Sequence, residues 1–183
     1  MLAQVLCGDS VHSALICGEP SCGKTSLLRD LLHEFSARQL SVSVVDERGE
    51  LAWRELSGCD ILHGTPKREG VEHAVRCLAP QVIVFDELGT AEAEAVRGAV
   101  NSGVPVVASA HCRQVKELLQ RDGIAALLRG GAFMYTVRMC GRDKPGEIAE
   151  ILQTEVWLRE TTGDAADCSR GNGLGVDDGA SGA

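Results

Sequence analysis

Gly18-Glu19-Pro20-Ser21-Cys22-Gly23-Lys24-Thr25 follows the apolar run Ser13-Ala14-Leu15-Ile16-Cys17 and leads into Lys24 to Ala37, where Leu27, Leu28, Leu31, Leu32 and Phe35 recur at helical spacing. The octapeptide fits G-x-x-x-x-G-K-[ST] in its required setting, after a strand and at the start of a helix. Each part has a physical task. Glycines let the backbone curl so that successive N–H groups point inward, and the helix N-terminus adds partial positive charge at a β-phosphate. The Lys24 ammonium reaches the β- and γ-phosphates, and the Thr25 hydroxyl is a magnesium ligand. Gly18, Glu19, Pro20, Ser21, Cys22, Gly23, Lys24, Thr25 and Ser26 are thus the expected nucleotide-binding residues. The bland alternative, a chance glycine loop before a helix, has to explain both flanks.

Working outward, strand-length apolar runs alternate with amphipathic stretches. Ser41 to Asp46 is β-branched, and Asp60 to His63 is a weaker strand. Glu69 to Leu78 has helical spacing, and Gln81-Val82-Ile83-Val84-Phe85-Asp86 is the clearest strand, punctuated by Pro80. A helix is predicted from about Ala91 to Asn101 with Gly103 as its stop, then a strand from Val104 to Ala108. Arg113 to Leu128 holds one or two helices. Phe133 to Met139 and Glu147 to Leu158 read as closing strands through the turn Arg142-Asp143-Lys144-Pro145-Gly146. The alternation predicts an α/β fold, a P-loop NTPase with a mainly parallel sheet flanked by helices. Residues 1–160 form that domain. Residues 161–183, rich in Gly, Ala, Ser and Asp, read as a disordered acidic tail.

Three strand ends carry polar residues. Ligands of parallel sheets sit beyond the carboxyl ends of the strands. There Asp86 would hold magnesium and Glu87 would polarise an attacking water. Asp46-Glu47-Arg48-Gly49-Glu50 follows the second strand, and His111 follows Ala108-Ser109-Ala110. Alone, such acids read as a solvated strand exit and the histidine as a structural residue. Their convergence on one rim with the loop favours a site.

Composition narrows the classes. With 44% hydrophobic but only 3% aromatic residues, the core must be Leu, Val, Ile and Ala. The net charge of −8 argues against a nucleic-acid surface, which needs a Lys/Arg stripe. The eight cysteines form no C-x-x-C pair and read as small buried hydrophobes in a reducing compartment. No 18-residue apolar run or signal-peptide pattern is present, so a cytoplasmic protein is expected.

The loop, Asp46-Glu47-Arg48, Val84-Phe85-Asp86-Glu87-Leu88-Gly89 and Ser109-Ala110-His111, in that order, resemble the stage III sporulation protein AA family of secretion-type, RecA-like ATPases. Pro66-Lys67-Arg68-Glu69-Gly70 and Lys144-Pro145-Gly146-Glu147-Ile148-Ala149-Glu150-Ile151 are similar to further stretches of that family. The resemblance covers about residues 13 to 155 and implies a magnesium-dependent ATPase. It implies assembly as a homo-oligomeric ring, peripheral to membrane-embedded sporulation channel proteins between mother cell and forespore. By the same resemblance Asp46 (at the metal) and Glu47 fill the Asp box, Asp86 and Glu87 the Walker B site, and His111 the γ-phosphate-sensing position. Arg48 is the first candidate for an arginine acting in trans, ahead of Arg54 and Arg68. The sequence departs from the family at Thr90, where arginine is usual, and at Cys112, where the family has glycine after the histidine. A family member usually has a domain ahead of the loop, where a dozen residues precede the first strand here. Two alternatives stay open: a nucleotide-binding switch with negligible turnover, and a P-loop kinase.

Removing the chain after about Glu160 is expected to leave the melting temperature nearly unchanged, since only Leu174 and Val176 offer apolar surface there. A calorimetric drop of several degrees would show that this segment packs on the domain.

Overall fold

The computed structural model describes residues 2–8, 10–51, 56 and 58–163. Arg54 and the segment from 164 onward lie outside the described residues, and so do the readings made for them. In chain order the elements are α1 (Leu2–Leu6), β1 (Ala14–Gly18), α2 (Lys24–Ala37), β2 (Val42–Asp46), β3 (Cys59–His63) and α3 (Lys67–His73), which runs into a π-helical turn (Ala74–Leu78). They continue as β4 (Val82–Phe85), α4 (Ala93–Asn101), β5 (Val106–His111), a 3-10 stretch (Val115–Gln120), α5 (Asp122–Arg129), β6 (Tyr135–Met139), β7 (Ile148–Gln153) and α6 (Thr154–Thr162).

The strands form one seven-stranded sheet in the order β3-β2-β4-β5-β1-β6-β7. Its neighbours run parallel except β7, which returns antiparallel along β6. This is the mainly parallel α/β sheet expected from the sequence. β1 is central, with β5 on one side and β6 on the other, so the loop that leaves it is flanked by both.

Both faces of the sheet are covered, which is why its strands read as continuous apolar runs. Alternate residues enter opposite cores, as the two-residue period requires. Ala14, Ile16, Val42, Val44, Val82, Val84 and Val107 pack with Leu28, Leu31, Leu32 and Phe35 of α2 and with Leu2 and Leu6 of α1. Leu15, Cys17, Val45, Ile83, Phe85, Val106 and Ala108 pack with Val71 of α3, Val96 of α4, Leu127 and Leu128 of α5 and Trp157 of α6. Aromatic side chains are few, so close backbone approach matters. Gly70 of α3 is buried against β2, and a Cβ there would collide with the Val45 side chain.

Four expectations change. Glu147 to Leu158 was expected as strand, but β7 ends at Gln153 and α6 begins at Thr154. Thr154 N–H donates to the Met134 carbonyl and its hydroxyl shares a hydrogen bond with Thr136, which turns the chain off the sheet edge. α6 then buries Trp157 and runs past Glu160, so the last helical turn crosses the expected boundary. β5 begins after Pro105, which lacks the N–H a ladder needs, and extends to His111, so the histidine ends the strand itself. Cysteine burial holds for Cys17, Cys22 and Cys112, whereas Cys77 is exposed.

Gly70→Ala tests the α3–β2 contact. Helix propensity favours alanine by ~1 kcal/mol, but overpacking against a stiff, buried β-branched side chain costs about 1–3 kcal/mol. A net loss is expected, read as a lower urea midpoint. A raised midpoint would show that α3 moves off β2 at no cost.

Candidate functional site

The loop after β1 is held open by its own backbone. Ser21 lies at φ 63 and Gly23 at φ 98, both in the left-handed region. Glycine is required at the second position for another reason as well, since a Cβ on Gly23 would stand 2.6 Å from the Gly146 N. The Lys24 ammonium folds back over the loop and donates to the Gly18 carbonyl at 3.0 Å and the Glu19 carbonyl at 2.8 Å. Cys22 is fully buried beneath the loop, and the Glu19 carboxylate pairs with Arg113 at 3.4 Å. Pro20, Ser21, Gly23, Lys24, Thr25 and Ser26 line a cleft of about 510 Å³ that also receives Asp86, Glu87 and His111. The loop and the ends of β4 and β5, far apart in sequence, therefore meet.

Thr25 and Asp86 make the closest link, with the Thr25 hydroxyl donating to Asp86 Oδ2 at 2.5 Å. The other carboxylate oxygen accepts from the Ser109 hydroxyl and from Glu87 N–H, the latter at 3.0 Å. Ser109 sits two residues before His111 on β5, so both point to the same face, and it is fully buried. Its oxygen also accepts Glu87 N–H at 3.0 Å. These bonds fix Glu87, a non-glycine residue at φ 59, in a backbone conformation that persists only where its surroundings over-determine it. Lys67 completes the hold by donating to the Glu87 carbonyl at 2.9 Å.

From Lys24 a chain of contacts runs to the Glu87 side chain. Lys24 Nζ lies 3.0 Å from His111 Nδ1, and His111 Nε2 lies 3.3 Å from Glu87 Oε1. An ammonium has donors only, so Nδ1 is the acceptor and the ring proton sits on Nε2, donating to Glu87. Arg48 Nη1 meets the other Glu87 oxygen at 3.0 Å. Arg121 pins the strand end by donating to the His111 carbonyl at 2.6 Å.

The residues after β2 sit beside this cluster. Asp46 is 3% exposed, and its two oxygens accept the N–H groups of Glu50 and Leu51 at 2.9 and 3.0 Å. Its carboxylate thus ties the loop that presents Glu47 and Arg48. Glu47 is half exposed and faces Lys67 at 3.8 Å. Arg68, the weaker arginine candidate, pairs with Glu72 and Glu94 on the surface. Among the described residues no three His, Cys, Asp or Glu side chains gather as a metal cage.

Ser109, Lys67 and Arg121 were not singled out as site residues from sequence. For Ser109 a signal existed in its two-residue offset from His111, whereas Lys67 and Arg121 reach the site only through packing. Beside the site the neighbouring Cys17 and Cys112 thiols act on each other, which pushes the buried Cys17 up and Cys112 down from the usual thiol value.

Comparison with known proteins places the fold first. The VirB11 ATPase from the Brucella suis type IV secretion system matches over 87% of this chain and 52% of its own, with TM-score 0.63 and 17% identity. The Legionella pneumophila ATPase DotB matches over 89% of this chain and 50% of its own, with TM-score 0.64 and 16% identity. The fold is therefore that of the P-loop secretion ATPases. The model of the family "Sporulation stage III, protein AA" matches residues 1–156. Stage III sporulation protein AA of Bacillus subtilis (strain 168) is 32% identical over 175 residues, covering 85% of this chain and 55% of that protein. An uncharacterized protein, ycf45, of Porphyra purpurea is 32% identical over 138 residues, covering 67% of this chain and 23% of that one. The chain belongs to the sporulation stage III protein AA family and spans about half the length of the Bacillus relative. Among the described residues no helix is long and apolar enough to cross a membrane.

Ser109→Ala removes a hydroxyl that serves both Asp86 and the strained Glu87. Leaving Glu87 N–H with one acceptor fewer should lower unfolding free energy by about 1–3 kcal/mol. Urea denaturation reads this directly, and an unchanged midpoint would mean that Asp86 alone holds the Glu87 backbone.

Proposed function

We propose that this chain binds ATP with magnesium at the loop after β1 and hydrolyses it. The observation that carries the reading is the 2.5 Å contact from the Thr25 hydroxyl to Asp86, which brings together two hard oxygen donors from the loop after β1 and the end of β4. Magnesium takes one or two protein oxygens and completes its shell with water and substrate phosphates. Thr25 and Asp86 fit that demand, and no larger cage is needed. Bound there, magnesium would offset charge on the β- and γ-phosphate oxygens.

The remaining roles follow from position. Loop N–H groups from Gly18 to Ser26 cradle the phosphates. Lys24 exchanges its bonds to the Gly18 and Glu19 carbonyls and to His111 Nδ1 for the terminal phosphate oxygens. That exchange frees His111 Nδ1, and His111 relays the change to Glu87 through the opposite ring nitrogen. Glu87 orients the attacking water and accepts its proton. Asp46, expected at the metal, is better supplied with work by the loop it ties, and through that loop it positions Glu47 and Arg48. The family membership supports a subunit that drives or assembles a membrane-associated sporulation complex, with neighbouring copies forming a ring.

The Arg48–Glu87 pair favours a second reading, a nucleotide switch with negligible turnover, because it occupies the carboxylate that hydrolysis needs. Arg48 is 62% exposed, and exposed pairs contribute only about 0.2–1 kcal/mol. Such a pair yields readily to a nucleotide, so hydrolysis remains the preferred reading.

Two variants test it. Lys24→Ala should abolish ATP binding in calorimetry, since the phosphates lose their main side-chain partner; retained affinity would defeat the assignment. Glu87→Gln should keep binding but lower kcat by about 10²–10⁴-fold. Wild-type turnover in that variant would move the catalytic carboxylate to Glu47, and a wild-type protein that binds but never turns over would establish the switch.

A further inference from the structure

The turn between β6 and β7, Gly141 to Glu147, stands over the nucleotide loop yet has no part in the chemistry above. Gly146 N–H donates to the Cys22 carbonyl at 2.8 Å, and Arg142 Nε donates to the Pro20 carbonyl at 3.1 Å. Pro145 lines the same cleft as Lys24, Thr25 and Ser26. The turn is braced internally: Cys140 N–H donates to the Glu147 carbonyl at 2.9 Å and Lys144 N–H to the Gly141 carbonyl at 3.1 Å. Beneath it Arg138 and Glu150 pair at 2.5 Å across the two strands. A surface turn braced in this way and bonded twice to the loop is a fixed wall of the cleft.

The order of strands says which end of a nucleotide meets that wall. β4 and β5 lie on one side of β1, and β6 and β7 on the other. Asp86 and Glu87 leave β4 and His111 ends β5, so terminal-phosphate chemistry belongs to the first side. A triphosphate lying along the loop therefore runs its other end toward the β6–β7 turn. Of that turn's residues, Glu147 pairs with Lys144 and Asp143 lies back over Gly141, whereas Arg142 bonds to the loop at Pro20 and Pro145 lines the cleft. A guanidinium carries five donors in a planar fork, and the Pro20 bond uses the one on Nε. Its flat face stacks on a base, and its remaining donors suit ribose hydroxyls. Pro145 adds an apolar face.

We propose that the β6–β7 turn is the subsite for the nucleoside end of the nucleotide, with Arg142 against the base and ribose and Pro145 beside them. This rests on the ATP site proposed above and assigns it a second, separable half.

Magnesium tripolyphosphate, which has the phosphate chain and no nucleoside, separates the halves. In calorimetry the wild-type protein should bind ATP and ADP more tightly than their phosphate chains alone would allow, and ATP more tightly than tripolyphosphate. Arg142→Ala should weaken ATP and ADP by about fivefold to tenfold, the scale of a stacked cation, and leave tripolyphosphate within twofold. Equal loss for all three ligands would overturn the proposal, because it would mean that Arg142 only shapes the loop through the Pro20 carbonyl. Wild-type protein that binds tripolyphosphate as tightly as ATP would overturn it as well, while the phosphate site stands. Wild-type protein that binds neither would overturn the ATP reading itself.

Discussion

Thr25 and Asp86 are 61 residues apart in the chain, yet a hydroxyl and a carboxylate oxygen meet at 2.5 Å. That contact is possible only because β1, β5 and β4 lie side by side and parallel, so the start of α2 and the end of β4 open on one rim. The site depends on it in both directions. Asp86 also anchors Ser109 and the Glu87 backbone, so one carboxylate fixes the loop, the neighbouring strand and the next acid.

Around that contact the charges are arranged as a circuit. Lys24, His111, Glu87 and Arg48 alternate donors with acceptors, and the four come from the start of α2, the end of β5 and the segments after β4 and β2. A polyanion entering the cleft competes first for Lys24, whose present partners are a ring nitrogen and two loop carbonyls. Glu87 is the strained element of the set, held at φ 59 by bonds from Asp86, Ser109 and Lys67. Fixing the backbone so firmly leaves the carboxylate as the part free to exchange partners.

Much of this was legible in the sequence because the informative signals were local. The strand–glycine loop–helix sequence around Gly18–Thr25 specifies its own fold, and α2 spans the residues its leucine spacing marked out. Acids at strand ends converge once the sheet is parallel, so Asp86, Glu87 and His111 were placed together by topology alone. What the sequence did not reveal was decided by tertiary partners. Thr154 to Leu158 carries β-branched and aromatic residues that suit a strand, yet Trp157 is buried only if the segment coils against α5. Lys67 reads as an ordinary helix-start lysine until the end of β4 lies beside it, and Arg142 as a turn residue until that turn bonds to Pro20. The two backbone N–H bonds that Asp46 accepts from Glu50 and Leu51 of its own loop are likewise a tertiary detail that its position after a strand does not announce.

The central claim is that Thr25 and Asp86 serve one magnesium ion, and a double-mutant cycle tests it most directly. ATP affinity would be measured by calorimetry with magnesium and with chelator for wild type, Thr25→Ala, Asp86→Asn and the double variant. If both side chains act on one ion, either substitution removes most of the magnesium-dependent gain in affinity and the second adds little, a coupling well above the ~0.5 kcal/mol scatter of independent sites. Losses that simply add, or a magnesium-dependent gain that survives in the double variant, would contradict the account.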